Sequence, residues 1–335
     1  MDKPTRTRKP IWTLLLLAPM SGEMLSGSMP PLEFFNPFAV VMLMIFYGSG
    51  ALIIREFVRR WGKGLPSIWL LGLAYGIYEE GVVVRSFFDP AWGALDFLAE
   101  YGRWIGVNWI WTFGLTLFHA TVSITIPIVL VELMYPAHRD QLWLTRRGLQ
   151  IHCGLFLLWI PLSPLFEMHA PPLAFVGCAV AIVGLVILAR RWTGPAVDAP
   201  HPPASPRRIM LLGFGGMSII PLVLWFFPAW GFPPLVTGLL AFLLPYVVVG
   251  RMHRLGVSGW TDYHFWAFAF GGLVVWILIA FIGELSGALG MSLVGIGYAV
   301  FMRRLGRRIR QREPHDDAPT PQEAVEQALL PGGLS

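Results

Sequence analysis

The sequence predicts an all-α, polytopic membrane protein with about ten transmembrane helices and both termini on the inner side. Three observations carry that reading. Hydrophobic residues make up 55% of the 335 residues and charged residues only 13%, with 15 Trp and 23 Phe, whereas soluble domains carry roughly 25% charged residues. The apolar residues fall into runs of about 20, the length a spanning helix needs. The basic residues cluster between alternate runs, as the positive-inside rule requires of a correct count and orientation.

Taken in order, the apolar runs place spans at 11–29, 38–60, 66–88, 108–135, 149–165, 171–192, 208–227, 233–250, 263–283 and 287–304. With both termini inside, the inner segments hold all 25 Lys and Arg residues except Arg85 and Arg103. Gaining or losing one internal span would scramble that partition. The first run, IWTLLLLAPM, leads into SGEMLSGSMPP and reads as a retained first span.

These spans divide into a six-helix membrane segment, residues 1–192, and a four-helix segment, residues 207–305. Between them the inner linker TGPAVDAPHPPASP, residues 193–206, is rich in Pro and Ala and therefore extended. Residues 306–335 read as a polar tail, disordered in part. The outer loop from Asp89 to Val107 carries Asp89, Asp96, Glu100, Arg103, Trp92, Phe97, Tyr101 and Trp104. That mixture is expected to lie along the interface as a short amphipathic helix.

The net charge of +5 does not point to nucleic acid, because the basic residues form short clusters between apolar runs. Cys153 and Cys178 fall in different helices and form neither a CxxC pair nor a metal-ligand spacing. The expected partners are membrane lipids, with no nucleic acid, and the expected location is the plasma membrane. No cofactor, substrate or oligomeric state is specified by any motif.

The polar centre lies in GLAYGIYEEGVVVRSFFDPAW, residues 72–92, where Glu79 and Glu80 interrupt an apolar span. An ionisable residue at the middle of a spanning helix costs roughly 2.5–3.5 kcal/mol on insertion scales, so the pair needs a reason. Gly72, Gly76 and Glu80 recur every fourth residue and share a helix face that permits close packing. On the next span Asn108, Thr112, Thr116, His119 and Ser123 make a polar stripe along one face. Glu80 lies about 13 Å and His119 roughly 17 Å below the outer end, counting 1.5 Å per residue. His119 is therefore expected to face Glu79 or Glu80 across an antiparallel helix pair.

Glu23 in the first span joins these as a candidate for a substrate or ion pathway, with Asn108, Thr112, Thr116 and Ser123. Glu167, His169 and Glu284 gather toward the same half but sit at helix ends or in loops. Arg55, Glu56 and Glu132 lie near the inner boundary, where helix-end charges are expected to snorkel to the interface. Paired carboxylates and an imidazole in low dielectric can act as general base and acid, carry protons, or hold a metal.

Glu79-Glu80 followed by Arg85, with His119 on the next span, resembles the CPBP group of intramembrane proteases, which includes CAAX prenyl endopeptidases and bacteriocin-processing proteins. That resemblance, over about residues 75–123, implies a helical intramembrane site that activates water for peptide hydrolysis, with Glu79, Glu80, His119 and Arg85 in it. EEGVVVR has one residue more than the family spacing, which turns Arg85 about 140° from Glu80 on an α-helix. The family Phe four residues before the His is Leu115 here.

The alternatives are a proton- or cation-coupled transporter and a noncatalytic scaffold. Ten spans divide into five plus five, and a repeated odd-numbered unit gives the inverted topology that transporters use. Pro19, Ser21, Gly22 and Glu23 before Ser26, Gly27 and Ser28 suit a broken first helix.

Overall fold

Prolines and short polar caps start most of the helices. In the computed structural model, which describes residues 8–93, 95, 98–162, 170–192 and 202–313, α1 runs Lys9–Pro19 and continues as a π-turn, Met20–Met24. The helix α2, Pro37–Arg60, is opened by Asn36, whose side chain accepts from the Phe38 and Ala39 amides. Such caps satisfy amide donors that a helix start leaves unpaired. Then come α3, Leu65–Ile77 with a π-turn Tyr78–Val83, and α4, Trp109–Met134. The chain continues through α5, Arg146–Leu157, α6, Pro172–Arg191, α7, Pro206–Ala229, and α8, Pro234–Arg254. It closes with α9, Asp262–Leu285, and α10, Met291–Arg310.

Among the described residues, α2, α4, α6, α7, α8 and α9 are the 6 helices long and apolar enough to cross a membrane. Packing between the helices depends on small residues. A Cβ built on Gly72 of α3 would stand 2.8 Å from the Ala120 Cα of α4, and one on Gly76 would stand 3.0 Å from the Thr116 Cα. The backbones of α7 and α9 are closer still, since a Cβ on Gly213 would lie 2.1 Å from the Phe268 carbonyl oxygen. Without hydrophobic drive between helices in lipid, such close backbone approach supplies the packing contacts. The outward residues of α6 and α8, such as Leu173, Val180, Leu235 and Val247, remain exposed.

The basic helix ends gather on one face. Lys63 donates to the Trp192 carbonyl, Ala204 to Leu255, and Arg312 to Leu133. Arg139 donates to Asp262 at 2.7 Å, and this hydrogen bond holds its guanidinium still further above the ordinary arginine range.

Arg55, Glu56 and Glu132 correct the expectation of snorkelling: Arg55 and Glu56 are 0% exposed and Glu132 is 7% exposed. Arg55 donates to Glu132, to Glu56, and to the carbonyls of His138, Arg139 and Gln141, while its guanidinium carbon lies 3.7 Å from the Trp143 ring centre. The loop after α4 folds back over α2 and seals these charges from water.

Further differences concern boundaries. In place of an amphipathic helix, the described part of the Asp89–Val107 loop runs through turns into an antiparallel hairpin, β1 Arg103–Trp104 with β2 Val107–Asn108. Ile105 at φ 50° and Gly106 at φ 73° make the reversal that a helix forbids. The helix α10 continues past Arg304 to Arg310, taking in part of the expected tail. Asp96, Phe97, Glu167, His169, residues 193–201 of the linker and the tail from 314 lie outside the described residues.

Candidate functional site

Four helices widen into π-turns at one level, and each turn contributes a polar side chain to a single cluster. Glu23 comes from Met20–Met24 of α1 and Tyr47 from Met44–Gly48 of α2. Glu79 and Glu80 come from Tyr78–Val83 of α3, and His119 and Ser123 from His119–Thr125 of α4. A π-turn closes i→i+5 hydrogen bonds, so each residue advances by a smaller angle than in an α-helix. Two consecutive carboxylates can then address the same partner.

That partner is His119. Its Nδ1 lies 3.0 Å from Glu79 Oε2 and 3.1 Å from Ser123 Oγ, and its Nε2 lies 3.1 Å from Glu80 Oε1. The approach of Glu79 Oε2 is close but out of line, and this oxygen has no hydrogen-bond partner among the described residues. The Tyr47 hydroxyl joins Glu79 to Glu23. Because a phenol has one proton, one of those two contacts is made by a carboxyl O–H donating to the phenol oxygen. On the other side Ser86 donates to Glu80 and accepts from the Trp111 indole at 3.0 Å. The result is two hydrogen-bonded runs, Glu23–Tyr47–Glu79 and His119–Glu80–Ser86–Trp111, that meet at the close contact of Glu79 with His119.

Burial makes its charge balance demanding. Glu79 and His119 are each 3% exposed and Glu80 is 8% exposed. One imidazolium balances one carboxylate, while Glu23, Glu79 and Glu80 bring three to the cluster. Uncompensated buried charge is strongly unfavourable, so the cluster retains further protons or a cation.

The sequence-derived candidates separate into two groups. Glu23, Glu79, Glu80, His119 and Ser123 converge. Asn108 and Thr112 lie at the start of α4: Asn108 caps the helix by accepting from the Trp111 amide at 3.0 Å and donates to the Leu98 carbonyl, and Thr112 donates to the Asn108 carbonyl. Thr116 is half-buried where α3 and α4 touch, its hydroxyl enclosed and without a hydrogen-bond partner among the described residues. Arg85 takes a left-handed conformation, φ 68°, that ends α3, and its guanidinium lies 5.5 Å from the Phe175 ring centre. This reversal turns Ser86 back toward Glu80. Glu284 lies at the far end of α9, accepting from the Gly290 and Ser292 amides.

Tyr47, Ser86, Tyr75 and Trp111 were not singled out from the sequence. Tyr47 had a local signal, a phenol in mid-span beside Gly48, Ser49 and Gly50. Ser86 had none, because only the turn at Arg85 aims it. The rings of Tyr47 and Tyr75 each lie 6.1 Å from His119 and wall the imidazole.

Gly22 lets α1 reach this cluster. A Cβ there would stand 2.7 Å from Ser123 Oγ and 2.8 Å from Tyr47 Cε1. Gly22→Ala is therefore expected to destabilise by about 1–3 kcal/mol, the usual range for overpacking. The measurement is the thermal unfolding midpoint in detergent, and an unchanged midpoint would mean that α1 does not pack here.

Glu79, Glu80 and His119 each offer one ligand atom, all within 4.8 Å of one another. Two carboxylate oxygens and one imidazole nitrogen fit a divalent cation such as zinc with an open position for water. Purified protein dialysed against zinc is expected to retain about one equivalent by elemental analysis, and Glu80→Gln with His119→Ala is expected to lose it. Equal retention by that double variant would place the ion elsewhere.

Compared with known proteins, the chain matches over residues 13–285 a family described as an uncharacterised membrane protein family. An uncharacterised protein of Archaeoglobus fulgidus is 25% identical over 126 residues, which is 37% of this chain and 38% of that protein. The chain thus covers well under half of that relative's length. No solved structure matches it significantly.

Proposed function

The chain belongs to an uncharacterised membrane protein family, and from that premise we propose that it is an intramembrane hydrolase, protease-like in chemistry. The observation that carries the reading is that both ring nitrogens of one buried imidazole lie within 3.1 Å of carboxylates from a single π-turn. Glu80, the more exposed of the pair, is the general base that takes a proton from water. His119 orients that water and stabilises the oxyanion, while Glu79, Tyr47, Ser123 and Glu23 fix the ring. A divalent cation held by the same residues would acidify the bound water. The resemblance of Glu79-Glu80 and His119 to the CPBP proteases supports this assignment, and Arg85, packed on Phe175, is left to a structural part.

The test is turnover of a fluorogenic single-span peptide and of labelled casein by the full chain in nanodiscs. The double variant Glu79→Gln with Glu80→Gln is expected to be inactive, and wild-type turnover in it would remove the proposal. We further propose ten spans with both termini on the cytoplasmic side of a plasma membrane. The gathering of basic helix ends on one face supports that orientation.

A second reading, a proton-coupled transporter, is favoured by two hydrogen-bonded runs, Glu23–Tyr47–Glu79 and His119–Glu80–Ser86, that meet where Glu79 stands 3.0 Å from His119, a layout suited to a proton relay. Proton uptake into vesicles, driven by a solute gradient and lost in Tyr47→Phe without any hydrolytic turnover in the wild type, would favour it over the hydrolase.

A further inference from the structure

The second half of α10 carries Arg303, Arg304, Arg307, Arg308 and Arg310, all exposed, while Met302, Leu305 and Ile309 turn into the protein. Arg304 and Arg308 are four apart and share one flank of the helix. Arg303, Arg307 and Arg310 share the other. Their situation differs from that of four basic residues on this face that are held in ion pairs. Arg55, Arg59, Arg60 and Arg139 each pair with an acid, whereas these five form no ion pair among the described residues.

Each flank borders a groove. One, of about 300 Å³, runs between Met134, Gly297, Val300 and Phe301 and ends at Arg304 and Arg308. The other, of about 190 Å³, is walled by Tyr263, Trp266 and Gly306 with Arg303, Arg307 and Arg310. Gly297 lies about 10 Å deeper along the helix axis than Arg304, at 1.5 Å per residue. The first groove is therefore apolar at depth and doubly cationic at its mouth. Free phosphate would use only the mouth. A phospholipid uses all of it, with an acyl chain along Val300 and Phe301 and its phosphate between the guanidinium groups, which suit phosphate oxygens.

We propose that the grooves flanking α10 are binding sites for anionic phospholipid, with the headgroup phosphate held by Arg304 and Arg308 on one side and by Arg303 and Arg307 on the other. A cluster of unpaired basic residues at the end of a membrane helix is the charge pattern that anionic headgroups recognise. This inference is independent of the hydrolase reading.

The experiment uses the full chain in detergent, titrated with phosphatidylglycerol or phosphatidylcholine and read by native mass spectrometry. Phosphatidylglycerol should be retained in preference to phosphatidylcholine. Each exposed basic residue near an anionic surface contributes roughly a fivefold preference, so Arg304→Gln with Arg308→Gln should weaken binding at that groove roughly 30-fold. Arg303→Gln with Arg307→Gln should do the same at the other groove. The control, Arg251→Gln with Arg254→Gln at the exposed end of α8, should leave both unchanged. Exposed side chains make these variants compatible with folding, and an unchanged thermal midpoint checks it. Equal retention of phosphatidylcholine, or an equal loss in the control, overturns the proposal. Full displacement of phosphatidylglycerol by millimolar inorganic phosphate overturns it too, in favour of a free-phosphate site.

Discussion

Glu80→Gln and His119→Ala are each expected to lower peptide turnover by roughly 10²–10⁴-fold, the contribution typical of a positioned general acid or base. Glu80→Gln keeps the side-chain volume and an acceptor oxygen for Ser86, but it cannot take a proton. His119→Ala removes the ring that both carboxylates address at 3.0 and 3.1 Å. The two losses should not add, because residues acting as a unit fail together. Thermal midpoints close to wild type for Glu80→Gln would separate lost chemistry from lost structure. Turnover within threefold of wild type in a folded Glu80→Gln protein would remove Glu80 from the chemistry.

The largest structural effect is expected on the opposite side of the bundle. Arg55→Ala should destabilise by about 3–5 kcal/mol, the range for removing one partner from a buried ion pair. That is a large share of the roughly 5–15 kcal/mol that holds a typical domain folded. Glu56 would be left buried at 0% exposure with the Trp143 amide and a 3.4 Å contact to Arg60, and Glu132 would keep Arg59. Arg55→Lys should rescue little, because the guanidinium uses five N–H donors on Glu56, Glu132 and three carbonyls while an ammonium has three. A thermal midpoint unchanged in Arg55→Ala would show that the loop at 136–145 closes without this clasp.

How much was legible differs between the two clusters. The Glu79, Glu80 and His119 group was visible because a polar residue in a long apolar run stands out, and because Gly72 and Gly76 mark the face that α4 approaches. Arg55, Glu56 and Glu132 were just as charged but stood at helix ends, where sequence favours the solvated reading. Only the fold of residues 136–145 over α2 buries them. On an α-helical wheel Arg85 turns away from Glu80, and the left-handed turn that places it over Phe175 has no signature in EEGVVVR, since neither glycine nor proline occupies the turning position.

The sequence by itself determined that this is a helical membrane protein, where its apolar segments lie, and that carboxylates and an imidazole share a depth. Those are consequences of hydropathy and local spacing, which a chain carries residue by residue. The tertiary structure decided that Glu23 and Tyr47, from helices distant in sequence, complete the cluster, and that Arg55 is sealed rather than solvated. The physical reason is the π-turn and the close helix crossing. Both depend on which backbones meet, and a widened turn or a glycine contact acquires its direction only when a neighbouring helix is present to receive it.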